Sequence, residues 1–144
     1  MWRNTTARNV AIIWRLFAEL WNGGSLAAAG TLFAPGHVHH VADDDLKGPE
    51  GGKQFVAGLP ATFPDMRTAT EDVIAAGNKV VDRFTIYGTY QGQSEGMSGP
   101  PAGKQMNCTG IDIFRLAGGK TIERWGELVA LRLQRQLGAA PDLG

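Results

Sequence analysis

All three histidines of the chain fall in one stretch, PGHVHHVADDD (35–45): His37, His39 and His40, followed by Asp43, Asp44 and Asp45. His37 and His39 are two residues apart, so on a strand they share a face. Two imidazoles on one face supply two metal ligands, but a zinc or iron site needs a third protein ligand in geometry. The aspartates offer carboxylates, yet their run reads as a solvated loop. An acid–base role, or a structural role for satisfied histidines, competes with the metal reading.

A second candidate lies far along the chain. Asp112 sits in GIDIFR. Strand alternation puts Ile111 and Ile113 on one face and Asp112 and Phe114 on the other. A charge beside Phe114 marks a polar spot in an apolar wall; the competing reading is a carboxylate paired with an arginine or set at a wet edge. In VVDRFTIY, Val81, Arg83, Thr85 and Tyr87 share one face, and Asp82, Phe84 and Ile86 the other. Arg83 is a candidate partner for Asp112 or an anion contact for a ligand. Tyr87 is a candidate phenolic donor.

These residues need elements to hold them. In TTARNVAIIWRLFAELWNGG, Val10, Ile13, Trp14, Phe17 and Trp21 follow helical spacing, and Ile12, Leu16 and Leu20 add a second apolar stripe. Thr5 or Thr6 is placed to cap the start and Gly23 to supply the left-handed end. Trp14 is expected in the core. A short helix, SLAAAGTLF, follows with Ser25 as its cap, and then the histidine stretch as a short strand. GPEGGKQFVAGLPATF reads as a third helix, with Pro49 in its first turn and Pro60 ending or kinking it. From Met66 the pattern changes to strands: MRTATEDVIAAG, KVVDRFTIYGTYQG, KQMNCTGIDIFRLA and KTIERWGELVAL. AGN and GG read as hairpin turns, QSEGMSGPPAG as a loop, and RLQRQLG as a closing helical turn. Helices first and antiparallel strands later predict an α+β fold, with helices on one face of a curved sheet and a concave interior.

Composition narrows the function classes. The chain has 144 residues, which suits one domain spanning 1–144, and 43% hydrophobic against 19% charged residues places it among globular proteins. Lysine plus arginine equals aspartate plus glutamate, 14 each, so no basic excess points to nucleic acid. The single cysteine, Cys108, excludes an intrachain disulfide and a cysteine zinc cage; it reads as a small buried strand residue. No apolar run is long enough to span a bilayer, and no signal peptide is visible, so a cytoplasmic location is expected.

With these pieces in order, the chain resembles the polyketide-cyclase-like branch of the NTF2-like superfamily, the SnoaL-like proteins. The resemblance is carried by LWNGG, KGPEGGKQFVAGLPATFPDM, EDVIAAGNKVVDRFTIYGTYQG, GPPAGKQ, GIDIFRLAGGKTIERW and LQRQLG, roughly residues 6–138. It implies a cone-shaped α+β barrel, a curved antiparallel sheet around N-terminal helices with an internal pocket, commonly as a homodimer. The best-known relatives close a ring by intramolecular aldol condensation without cofactor or metal, using a histidine and an aspartate. Aligned on GGK and RQLG, those two positions fall on Asp112 and Gly126, so neither residue type is retained. Glu127 is adjacent to Gly126 but on the opposite face. The resemblance also turns His39 toward the pocket and places Trp21 and Phe55 on its wall. Trp125 is expected outside the pocket or at a dimer contact.

The sequence therefore predicts a cofactor-independent, metal-free enzyme of cyclase or isomerase type, with hydrolysis third. Its ligand is small or polycyclic, apolar and carbonyl-bearing. Asp112 is the acid/base, His39 the second polar group, and Trp21, Phe55, Arg83 and Tyr87 the ligand contacts. No nucleic acid or membrane partner is expected. The alternative is a non-catalytic small-molecule-binding or dimerisation module that has lost the cyclase pair; metal chemistry at His37 and His39 ranks third.

Overall fold

The structure is a computed structural model that describes residues 2–40, 45–58, 64–90, 103–129 and 135–136, without the side chains of residues 2–4 and 55–58. Asp43, Asp44, Pro60, most of the loop between the middle strands and most of RLQRQLG lie outside the described residues.

Helix α1 (Trp2–Arg15) runs without a break into a π-helical segment (Leu16–Asn22). It begins before Thr5 and Thr6, so neither is its cap. Ile12, Ile13, Leu16, Phe17, Leu20 and Trp21 are buried along it. Wider π turns bring Leu16, Phe17, Leu20 and Trp21 onto the covered side together. Trp14 points outward and is 49% exposed, because the stripes on either side of it take the covered face. Gly23 keeps an ordinary helical φ of −83°; the left-handed residue is Gly24, at φ 64°. Ser25 does not cap the short helix α2 (Ala28–Leu32) with its side chain; its carbonyl accepts from the Ala28 N–H at 3.0 Å.

Strand β1 (Phe33–His40) and the short β2 (Leu46–Lys47) precede helix α3 (Gly48–Gly58), and four strands follow: β3 (Arg67–Ala76), β4 (Lys79–Thr89), β5 (Gln105–Ala117) and β6 (Lys120–Leu128). They form one six-stranded sheet in the order β2-β1-β6-β5-β4-β3. All neighbours are antiparallel except β1 and β6, which are parallel; α3 and the four strands β2 to β5 intervene between them in the chain. Gly118 and Gly119, at φ 58° and 81°, make the two-residue turn between β5 and β6.

The helices cover one face of the sheet. α1 packs on β3 and β4, α2 on β1 and β6, and α3 on β1 and β2. That inner face supplies Phe33, Val80, Phe84, Met106, Phe114 and Leu116 to the core. α3 approaches β1 closely: a Cβ on Gly52 would overlap the Phe33 ring. The glycines of GPEGG thus weaken the helix locally but let it seat on the histidine strand. On the outer face, register aligns Ile74, Val81, Ile113 and Trp125 across four strands. Trp125 lies there, stacked on His40 at 5.2 Å.

Candidate active site

Strand alternation and register together build the inner face. Val80, Asp82 and Phe84 point inward from β4; Gly110, Asp112 and Phe114 from β5; Arg124 and Gly126 from β6; His37 and His39 from β1. Asp82 pairs in register with Asp112, and Asp112 with Gly126. Two residues along, on the same face, His39 pairs with Arg124, and Arg124 with Phe114. Two adjacent rungs of the sheet therefore carry Asp82, Asp112, Arg124 and His39. All four are buried, at 0%, 1%, 6% and 0% exposure.

The central contact is an ion pair. Arg124 Nη2 donates to Asp112 Oδ1 at 2.5 Å. Gly126 makes the pair possible: a Cβ there would overlap the Arg124 guanidinium and stand 2.6 Å from Asp112 Oδ1. The missing side chain at Gly126 is thus filled space, occupied by the guanidinium two residues upstream on the same face. Burial pushes the Asp112 carboxyl up to about 6, against the pull of Arg124. Asp82 is pushed further, to about 8, first by burial and then by the negative charge of Asp112, with Arg124 opposing. Among the described residues neither Asp82 oxygen has a hydrogen-bond partner. Both carboxyls are thus shifted toward the protonated form, Asp82 more than Asp112, whose carboxylate Arg124 stabilises.

The histidines differ from one another. His37 and His39 lie 4.3 Å apart between ring centroids and enclose Phe33, whose ring stacks on His37 at 4.5 Å and meets His39 edge-on at 5.1 Å. Burial, foremost, holds His37 down to about 4, opposed by a hydrogen bond with the Thr121 backbone; Thr121 Oγ1 also lies 3.1 Å from His37 Nδ1. His39 is held down to about 2 by burial, then by His37 and Arg124. His40 points the other way, where Glu123 at 2.6 Å and Asp45 at 3.0 Å hold it up, the Glu123 bond contributing most. Among the described residues no three histidine, cysteine or acidic side chains converge as metal ligands.

Of the residues singled out by sequence, Asp112 and His39 come to one face, on opposite sides of β6. Buried His39 is neutral, so it presents an imidazole rather than an imidazolium. Trp21 is buried and stacks on Phe17 at 6.4 Å, which in turn meets Phe84 at 6.1 Å. Phe55 lies on α3, but its side chain is outside the described residues. Arg83 and Tyr87 are a correction: both point to the outer face. Register opposes Arg83 to Asp72 and Ile111, while Tyr87 lies under the Arg67 guanidinium at 5.0 Å. Since Asp82 faces inward, alternation sends both outward. Glu127 is likewise exposed on the outer face, opposite Ile111.

Sequence reasoning missed Asp82 and Arg124 as site residues. Asp82 carried a signal, since it alternates with Val80 and Phe84 as Asp112 alternates with Phe114. Arg124 carried less, because its partner is fixed only by the β5–β6 register.

The model of the SnoaL-like polyketide cyclase family matches residues 11–137. The chain belongs to this family. Solved structures agree. A Jannaschia sp. CCS1 protein assigned as a SnoaL-like polyketide cyclase is 27% identical, with 94% of this chain and 95% of that chain covered and a TM-score of 0.81. IdmH from Streptomyces antibioticus, assigned as a polyketide cyclase, is 26% identical over 90% and 98%, at TM-score 0.79. A Catenulispora acidiphila protein with a ketosteroid isomerase-like fold, 19% identical over 90% and 93% at TM-score 0.74, shows the fold alone. No curated protein matches the chain. In this member of the family the Arg124 guanidinium fills the space at Gly126 and pairs with Asp112.

Proposed function

We propose that this SnoaL-like protein is a cofactor-independent acid–base enzyme of cyclase or isomerase type, acting on a small, largely apolar, carbonyl-bearing ligand. The observation that carries this reading is Asp112: a carboxylate 1% exposed, on the covered face of the sheet, with a pKa raised toward neutrality. A base for an activated C–H needs that property, and burial supplies it. Arg124 holds one oxygen of Asp112, which orients the carboxylate and leaves the other oxygen for a substrate proton. The aromatic wall of Trp21, Phe17, Phe84 and Phe114 suits a flat apolar ligand. Neutral His39 is the second polar group, as a hydrogen-bonding imidazole.

The test uses 2-tetralone, a flat ketone with an activated C–H, incubated in deuterated buffer. The wild-type chain exchanges the hydrogen next to the carbonyl. Asp112→Asn slows that exchange about 10²–10⁴-fold, the usual range for a lost general base. Equal exchange by the two proteins removes the reading.

One observation favours a second reading. The guanidinium in the Gly126 space closes an ion pair where the family resemblance expects a working carboxylate. A non-catalytic binding module would tolerate this. A ligand that co-purifies and is returned unchanged, with no exchange of 2-tetralone, supports it.

A further inference from the structure

Asp82 stands in β4 directly across from Asp112 in β5. It is 0% exposed, and among the described residues neither of its carboxyl oxygens has a partner. A buried ionised carboxylate with no hydrogen bond is costly, and a second negative charge across the strand pair raises that cost. Among the described residues the compensation is a shared one, the charge of Arg124. Val73 of β3 opposes it on the far side, and Arg124 of β6 is engaged by Asp112. The charged side chains described on the helix above, Arg8, Arg15 and Glu19, are not buried, and Glu19 is bonded to Arg15. Among the described residues no donor holds Asp82 as a carboxylate, so the site favours its protonated form, a hydrogen-bond donor on the covered face.

We propose that Asp82 is a second catalytic carboxyl, delivering a proton to the ligand's carbonyl oxygen while Asp112 removes one from the neighbouring carbon. This rests on the acid–base reading of Asp112. The step balances. The C–H bond breaks and its proton passes to Asp112. The electron pair becomes the carbon–carbon double bond of the enol, and the carbonyl oxygen takes the proton of Asp82. Asp112 is then neutral and Asp82 ionised. The pair resets through solvent: Asp112 gives up its proton and Asp82 takes one, which is how deuterium enters the ligand. Arg124 is a positioning residue: it holds Asp112 ionised at the start of each cycle and so fixes which of the two carboxyls is the base.

The experiment combines carbon-13 NMR of carboxyl-labelled aspartate with the exchange of 2-tetralone in the full chain. In the wild type the Asp82 carboxyl stays protonated far above its ordinary 3.8. In Asp112→Asn its midpoint moves down, because the neighbouring charge is gone. Asp82→Asn, nearly the same shape but unable to give a proton, slows exchange at least about 10-fold and abolishes the high-pH limb of its rate profile. An Asp82 that titrates in the ordinary carboxylate range overturns the assignment, a result that needs no variant. So does an Asp82→Asn protein with wild-type exchange where Asp112→Asn is inactive, which leaves the base reading standing. An active Asp112→Asn removes both.

Discussion

Around Phe33, His37 and His39 lose their charge and pack as aromatic rings; across β6 and β5, Asp112 keeps a charge by pairing with Arg124, and Asp82 keeps a proton. Both clusters are buried on the same face of one sheet. The difference lies in the available partner. A neutral imidazole needs no counter-charge and makes useful ring contacts, so the histidine cluster is a piece of core. One guanidinium pairs with one carboxyl, which leaves the second carboxyl favouring its protonated form. Density of ionisable residues in the sequence is thus a poor guide to reactivity, whereas a mismatch between buried charges and partners is a better one.

The comparison breaks most severely at Arg124. Arg124→Gln leaves Asp112 buried without its cation and costs about 3–5 kcal/mol in urea denaturation. Combining it with Asp112→Asn recovers part of that loss; a double variant as unstable as the sum of the singles would mean the pair is not coupled. Gly126→Ala comes next. Its methyl group meets Arg124 and Asp112, and overpacking of this kind costs about 1–3 kcal/mol. An unchanged unfolding midpoint would show that the guanidinium does not occupy that space.

The two clusters should also respond to pH in opposite senses. The folded pKa values of Asp82 and Asp112 are raised, so their contribution to stability is full below about 4 and is lost as pH rises toward about 8. Those of His37 and His39 are lowered, so their contribution is full above 6.5 and is lost as pH falls through about 4 for His37 and about 2 for His39. Stability then peaks between the two limbs. Asp82→Asn flattens the alkaline limb and His39→Gln the acidic one. A variant that alters the other limb contradicts the assignment. The smallest effect belongs to the outer face. Arg83→Ala and Tyr87→Phe leave 2-tetralone exchange at the wild-type rate and shift stability by no more than about 0.5 kcal/mol.

Much of the scaffold was legible. The glycine turn between β5 and β6, the four late strands and the covered helix stripes follow from alternation, helical spacing and turn chemistry, which are local. The histidine stretch was legible as a strand, and Asp112 as a polar spot in an apolar wall. Helix ends were less so: α1 starts ahead of Thr5 and passes its left-handed position to Gly24, because packing decides where the chain leaves the helix.

The residue types determined that Asp112 and Asp82 would each sit beside aromatic neighbours on a strand, since alternation is a property of a single strand. They could not determine that the two carboxyls would face each other, or that Arg124 and not Arg83 would meet them. Those facts depend on the register between β4, β5 and β6, and a slip of one residue would send each of these side chains to the other face. Burial against the helices fixed that register, and with it which carboxyl meets the guanidinium.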